Sequence, residues 1–183
     1  MSNAFNPIGI ELVKQALRNE IIPVPITIDW KKNKKGTISF RKYLKDFESQ
    51  LKIGKYEKTY VFGFSFGAMI AFLTALKIKP DVLILGSLSP WFEEDRASIK
   101  KSDLKWWKKN SSDRLPLFNE IASKIKSKTY ILVGQREFPE LIRRAREAHR
   151  LIKHSSLKII PGVGHDISKR KYMQAVKSVI NKL

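Results

Sequence analysis

The sequence contains no cysteine, which excludes disulfide cross-links and zinc sites built on thiolates. It has no run of about 18 consecutive apolar residues, so no segment is predicted to span a membrane as a helix. Acidic residues are few: 17 Asp and Glu stand against 36 Lys and Arg, which gives a formal net charge of +19. Only three histidines are present, so few side chains could act as a general base near neutral pH.

The excess of positive charge would attract nucleic acid, anionic lipid or an acidic carrier. The basic residues, however, are spread over predicted helix surfaces and turns along the whole chain. There is no zinc-finger spacing, no aromatic RNA-binding pattern and no uniformly basic helix. We therefore expect a basic surface and no specific nucleic-acid binding, and the sequence predicts no particular oligomeric state.

The length of 183 residues suits one domain with a substantial core, and 43% of the residues are hydrophobic. No linker or internal repeat divides the chain, so a single domain over residues 1–183 is predicted. The N-terminus carries Glu11 and lacks an apolar run after a basic start, which does not resemble a secretory signal. A cytoplasmic location is the expectation.

Helical and strand-like segments alternate along the chain, which predicts an α/β protein arranged as a three-layer α/β/α sandwich around a mostly parallel sheet. Prolines 23 and 25 lack a backbone donor, so the strand 21–29 is expected at the border of the sheet. Residues 91–127 form a polar, mainly helical stretch that could be a small cap. The other predicted strands are 59–62, 82–85, 130–134 and 157–160, and the helices cover 8–19, a stretch from about Phe40 capped by Thr37 or Ser39, 68–76, a basic segment after Pro139, and the C-terminal segment.

The pentapeptide Gly63-Phe64-Ser65-Phe66-Gly67 has the Gly-x-Ser-x-Gly pattern of a nucleophile elbow. Such an elbow is a sharp strand-to-helix turn that exposes a strained serine, and its glycines allow close backbone packing. A short β-prone segment precedes it and an apolar, buried-type helix follows, which is the context that the motif requires. Ser65 is therefore a candidate nucleophile.

A nucleophilic serine needs a base and a group that orients this base. His165 lies in a glycine-rich loop after the last predicted strand, at the sheet edge where catalytic groups gather, whereas His149 and His154 fit a helix surface and a helix end. Glu137 follows the preceding strand and is the predicted acid. Glu140, one helical turn further on, is its nearest rival, and Asp166 is expected to point elsewhere.

The order Ser65, Glu137, His165, each after a predicted strand, resembles the α/β-hydrolase superfamily along essentially the whole chain. This resemblance implies acyl transfer without a cofactor or metal, with the backbone N–H of Phe66 as the first oxyanion donor. The second donor would come from Phe5 or Asn6. Most members use Asp as the acid. The central strand that precedes the first helix in the family is not apparent, so we expect either a shortened N-terminus or a strand 21–29 that pairs beside the elbow strand.

Four large aromatic residues of the stretch 91–127 are candidates for an acyl pocket, or they only pack this segment onto the body: Trp91, Phe92, Trp106 and Trp107. Phe64, which precedes the serine, is a further pocket candidate and favours an apolar acyl group. The sequence thus predicts a serine hydrolase of the carboxylesterase or thioesterase kind, which acts on a small-molecule ester or thioester. Two alternatives stay open. One is a catalytically idle binding protein with the same fold, and the other is a basic protein that binds nucleic acid or an anionic membrane surface.

Overall fold

The sheet has four strands, all parallel, in the order β1-β2-β3-β4. The structure is a computed structural model that describes residues 7–28, 39–51, 56–110 and 113–183. The strands are β1 (Tyr60–Phe64), β2 (Val82–Gly86), β3 (Lys128–Gly134) and β4 (Ser155–Ile160). They correspond to the four predicted strands after residue 58, and a fully parallel sheet agrees with the predicted α/β class.

Helices cover both faces of the sheet. One face carries α1 (Pro7–Arg18) and α7 (Arg170–Ile180), which contact each other. The other carries α2 (Phe40–Gln50), α3 (Phe66–Ile78), α5 (Phe118–Ala122) and α6 (Pro139–Leu151), and α4 (Lys101–Asn110) lies in the 91–127 stretch. Two separate clusters of buried residues fill the two interfaces, so the predicted three-layer sandwich is confirmed.

The alternation of side chains in the strands explains the two clusters. Leu83 and Leu85 of β2 belong to the cluster beneath α3, whereas Val82 and Ile84 belong to the cluster beneath α7. Helix α3 is apolar on nearly every side and almost entirely buried, because it packs on β1 and β2 below and touches α2 and α5 beside it.

Residues 21–28 do not form the predicted strand. They have no regular secondary structure, and no described strand pairs with them. Pro23 and Pro25 lack the N–H groups that a ladder needs. The side chain of Gln50 instead donates to the carbonyl of Thr27 and accepts from its N–H, at 2.8 and 3.1 Å. The prediction of a border strand over 21–29 is therefore wrong for the described residues 21–28, and so is the alternative that this strand pairs beside the elbow strand.

The outer edge of β1 has no strand partner among the described residues, so β1, the strand that precedes the candidate nucleophile, is an edge strand of the sheet that these residues form. The carboxyl ends of all four strands lie at one edge of the parallel sheet. Of the helices in the described part of the chain, none is long and apolar enough to cross a membrane.

Candidate active site

Ser65 sits between the last residue of β1 and the first residue of α3, in a conformation that few non-glycine residues adopt. Its φ and ψ are 56° and −120°. Its N–H donates to the carbonyl of Gly86 at 2.7 Å, which ties the turn to β2. The chain reverses so tightly that a Cβ atom on Gly63 would lie 2.3 Å from the carbonyl oxygen of Gly67. Glycine is therefore required at position 63 to form the turn.

Gly67, the second glycine of the motif, is not under the same constraint. A Cβ atom on Gly67 would have no described atom within 4 Å, so the expectation that both glycines permit close packing holds only for Gly63. Gly67 instead faces a cavity along the outer edge of β1. The open space there comes from the unpaired edge of the sheet rather than from the turn itself.

The structure brings His165 against Ser65. His165 lies in the loop after β4, and its Nε2 is 2.9 Å from the Oγ of Ser65. Its Nδ1 is 2.8 Å from the Oε2 of Glu137. The ring of Phe64 packs on the imidazole with a centroid distance of 5.1 Å. About a third of the histidine side chain is exposed, so the proton-carrying ring is reachable from solvent.

Glu137 lies in the turn after β3 and its carboxylate is fully buried. Oε1 accepts from the backbone N–H of Gly134 at 2.7 Å and from the hydroxyl of Ser87 at 2.6 Å, while Oε2 faces His165. A carboxylate accepts only, so the proton between Glu137 and His165 belongs to Nδ1 of the neutral imidazole. Nε2 is then an acceptor for the Ser65 hydroxyl.

The two rival acids lie elsewhere. The carboxylate of Asp166 binds the N–H and hydroxyl of Ser168 and the ammonium of Lys169, and these contacts lower its pKa, with the Ser168 hydroxyl as the main cause. Glu140 is in the first turn of α6. Of the three carboxylates considered, Glu137 is the one that the structure places against His165.

Ser87 and Tyr172 extend the hydrogen-bond chain behind Glu137. Ser87 has one hydroxyl hydrogen, which it gives to Glu137, so the 2.7 Å contact between Ser87 and the Tyr172 hydroxyl has the tyrosine as donor. The carbonyl of Leu132, at 3.1 Å, shares that hydrogen. Burial raises the pKa of Tyr172, and the nearby Glu137 charge adds to this, so the phenol keeps its proton and remains a donor.

Sequence reasoning missed these two residues. Ser87 directly follows β2, so a polar residue at the carboxyl end of a strand was the available signal, the same signal that identified Glu137 and His165. Ser87 also has a positive φ of 49°, a strained backbone that marks a constrained position. Tyr172 belongs to the buried apolar stripe of α7, and nothing in the sequence separates it from that stripe.

The predicted oxyanion donors fall into two groups. Phe66 is the first residue of α3, so its backbone N–H stands at the positive end of that helix dipole, next to Ser65. Its ring stacks on Phe40 at a centroid distance of 5.5 Å, away from the triad. Phe5 and Asn6 lie outside the described residues, and their predicted role stays a prediction.

The predicted pocket aromatics do not form one wall. Phe92 is fully buried and meets the stacked rings of Phe72 and Phe118 edge-on, so it is a core residue and its assignment to a substrate pocket was wrong. Trp91 is half-buried and packs against the same core. Phe64 packs on His165 and Tyr172. Helix α4 contains Trp106 and Trp107, whose side chains are outside the described set.

A buried ion pair attaches segment 91–127 to the body. Arg144 of α6 binds Asp95 with two hydrogen bonds of 2.6 and 3.0 Å, and both side chains are nearly inaccessible. The guanidinium also stacks on the ring of Phe118 at 3.9 Å. Burial raises the pKa of Asp95 in spite of the arginines around it. The start of the segment is therefore anchored on α6, beside the strand that leads to Glu137.

The fold matches solved structures, although no family model and no curated protein matches the chain. Est1E from Butyrivibrio proteoclasticus, solved with ferulic acid bound, matches at a TM-score of 0.71 and 15% identity over 99% of this chain and 83% of that one. MGS-MChE2, an α/β hydrolase enzyme from a lagoon-sediment metagenome of Mar Chica, Morocco, matches at 0.64 and 18%, over 85% and 76%. The chain has the α/β-hydrolase fold.

MenH from S. aureus shares this α/β-hydrolase fold with the chain, at a TM-score of 0.61 and 19% identity over 87% of this chain and 80% of that one. Identities this low establish a common architecture. The reaction has to be argued from the residues of this chain.

Proposed function

We propose that the chain is a serine hydrolase that cleaves a carboxylic ester or thioester through an acyl-enzyme. The observation that carries the proposal is the continuous hydrogen-bond chain from Ser65 through His165 to the buried carboxylate of Glu137. These three groups come from three different strand ends and have the nucleophile, base and orienting acid roles that acyl transfer requires.

In the proposed reaction, the Oγ of Ser65 bonds to the substrate carbonyl carbon while its proton passes to Nε2 of His165. The carbonyl oxygen becomes an oxyanion next to the N–H of Phe66. The C–O or C–S bond then breaks, and the leaving alcohol or thiol takes the proton from His165. A water molecule, deprotonated by the same histidine, attacks the acyl-enzyme and releases the carboxylic acid and Ser65.

The strained backbone of Ser65 supports this role, since strain of this kind is retained where function requires it. The ligand of one solved structure with the same fold also supports the proposed ester hydrolysis. Est1E holds ferulic acid, which is a carboxylic acid, and a carboxylic acid is the product of ester hydrolysis. For the cap, we propose that segment 91–127 borders the acyl side of the site, because its first residues are anchored on α6 next to β3.

A fluorophosphonate probe tests the proposal directly. We expect it to label the native chain and not Ser65→Ala, and we expect p-nitrophenyl ester hydrolysis to fall about 10⁴-fold or more in that variant. Ser123→Ala is the matched control, because Ser123 is exposed and its hydroxyl bonds only the Asn119 carbonyl within α5. Esters of graded chain length would then define the acyl group.

A well-folded native chain that neither labels nor turns over any of the esters would contradict the proposal. That result would favour the catalytically idle binding protein.

A further inference from the structure

A cavity of about 730 Å³ runs along the outer edge of β1, and we call it the edge slot. It lies in the plane of the sheet, between the two helix layers. Leu12 and Ala16 of α1 form one side, and Phe47 and Leu51 at the end of α2 form the other. Residues 21–28 close it opposite β1. The edge slot is therefore a cavity beside the sheet, bordered on three sides, which none of the described residues fills.

The backbone of β1 presents to this slot polar groups that have no partner in the described part of the chain. The carbonyl of Thr59 accepts from Asp81, and the N–H of Ser65 donates to Gly86, so both face β2. Backbone direction alternates along a strand. The N–H and C=O groups of Tyr60, Phe62 and Phe64 therefore face the edge slot, where no group in the described ranges bonds them.

The size of the slot matches one strand. Five residues, the length of β1, extend about 16 Å, neighbouring strands are about 4.8 Å apart and packed layers about 10 Å apart, which gives roughly 800 Å³. The cavity volume is about 730 Å³. A strand of the length of β1 is thus close to the slot in volume.

A hydrocarbon chain would fit the same volume, but it cannot bond the backbone of β1. It would bury three donors and three acceptors without partners, and each such group weakens binding by roughly tenfold or more. An added strand pairs with these groups and places apolar side chains against both helix layers. The hydrogen-bonding pattern therefore selects a polypeptide strand over an acyl chain.

The net charge of the chain indicates which kind of polypeptide would supply that strand. Among the described residues of the slot lining, three carry a charged side chain at neutral pH, Glu20, Glu57 and Lys58, and most of the others are apolar, so the residues that enter must be apolar. A second copy of this chain would carry the same charge of +19 and be repelled, whereas an acidic polypeptide would be attracted. We propose that the edge slot takes an extended, apolar strand of an acidic partner polypeptide, which pairs with β1.

Amide hydrogen exchange measured by NMR tests the free edge. In the chain alone, the amides of Tyr60, Phe62 and Phe64 are expected to exchange at least about tenfold faster than those of Val61 and Gly63, which face β2. Equal protection of both sets in the monomer would overturn the proposal, because the edge would already be paired. Protection that grows with chain concentration would overturn it as well, because a second copy would then be the occupant.

The probe is a peptide that copies residues 81–86, Asp-Val-Leu-Ile-Leu-Gly, with two glutamates added at each end. Those residues already pair with β1 on its other side. We expect the peptide to protect the amides of Tyr60, Phe62 and Phe64, and to bind about tenfold more tightly at low salt than the same peptide flanked by lysines. Palmitate is the competing probe, and tighter binding of palmitate than of either peptide would overturn the proposal.

Val24→Glu and Leu117→Glu are a matched pair of variants. The two side chains are exposed to nearly the same extent, 45% and 43%, but only Val24 lines the edge slot. Val24→Glu is expected to weaken peptide binding about tenfold or more, and Leu117→Glu to leave it unchanged. Equal effects of the two variants would show that the peptide does not enter the slot. These readouts do not use hydrolysis, so they stand or fall apart from the proposed function.

Discussion

The two sides of Ser65 are built in opposite ways. Towards β3 and β4, every oxygen of the Glu137 carboxylate has a partner, and a tyrosine and a serine support it from behind. Towards the outer edge of β1, the backbone has no strand partner among the described residues, and Gly67 faces open space. The acid and base are therefore preorganised, whereas the nucleophile stands beside an incomplete sheet.

The largest loss of activity and stability is expected from Gly63→Ala. This variant tests the tight turn at Ser65, whereas Gly67→Ala changes only a residue that faces the outer edge of β1. The new methyl group at position 63 would overlap the Gly67 carbonyl at 2.3 Å, so the elbow cannot form and both fluorophosphonate labelling and cooperative thermal unfolding should be lost. Gly67→Ala is its control. With no described atom within 4 Å and a helical position, it should retain the fold and raise stability by about 0.5–1 kcal/mol. A stable, labelled Gly63→Ala protein would refute this account of the turn.

Glu137→Gln tests the side of Ser65 that faces β3 and β4, because glutamine has nearly the same size and shape as glutamate. Because Ser87 and Gly134 both donate to Oε1, the amide oxygen must take that position and the NH₂ group must face His165. Nδ1 then becomes the acceptor and Nε2 carries the proton, so His165 cannot accept the proton of Ser65. We expect kcat for ester hydrolysis to fall about 10⁴-fold with little change in Tm.

Glu140→Gln is the control for that variant, since Glu140 was the rival acid in the sequence. It is expected to keep full activity. An equal loss in the two variants would remove Glu137 from the proposed role.

A smaller effect is expected from the residues behind the acid. Ser87→Ala removes a donor from a buried carboxylate, a loss of about 1–3 kcal/mol, which corresponds to a kcat lower by about tenfold to a hundredfold. Tyr172→Phe should lower kcat less than Ser87→Ala does, because the Ser87 hydroxyl still donates to Glu137. Ser87→Gly distinguishes the role of the hydroxyl group from the role of the strained backbone. Glycine relieves the strain of the positive φ, yet this variant should lose as much activity as Ser87→Ala, because both lack the hydroxyl group. If Ser87→Gly is fully active, Ser87 has no positioning role.

The smallest effect on activity is expected from a substitution near the outer edge of β1. Gln50→Ala removes the two exposed hydrogen bonds to Thr27, so the free energy of unfolding should fall by about 0.5–1.5 kcal/mol while kcat stays unchanged. The amide of Thr27 should then exchange faster. Gln174→Ala, an exposed substitution on α7, is the control and should change neither quantity. A large loss of activity in Gln50→Ala would mean that the two sides of Ser65 are coupled.

The sequence predicted what depends on local pattern. Continuous apolar runs located α3 and the buried strands, and the strand-end positions led to Glu137 and His165. It failed where a side chain replaces a backbone partner. The apolar residues of 21–28 indicated a strand, but two prolines remove its donors and Gln50 takes over the bonds of Thr27. No local sequence pattern indicates that a distant side chain takes the place of a neighbouring strand.

Long-range contacts explain the remaining differences. Tyr172 meets Ser87 across 85 positions of the chain, and a periodic apolar stripe looks the same with or without that contact. Phe92 was a pocket candidate because it is one of the large aromatic residues of a possible cap, yet it is buried against Phe72 of α3 and Phe118 of α5. The catalytic roles of Ser65, Glu137 and His165 stay predictions that labelling will test.

The loops that carry Glu137 and His165 are joined by their backbones. Arg136 donates to the Val163 carbonyl at 2.8 Å, Gly162 donates to the Gln135 side chain at 2.9 Å, and a Cβ atom on Gly134 would lie 2.4 Å from Val163. These contacts hold the two loops, and with them Glu137 and His165, in a fixed relative position. Any adjustment of the site to substrates of different shape then falls to the Ser65 side, where the sheet is open, which makes that edge the place to engineer substrate range.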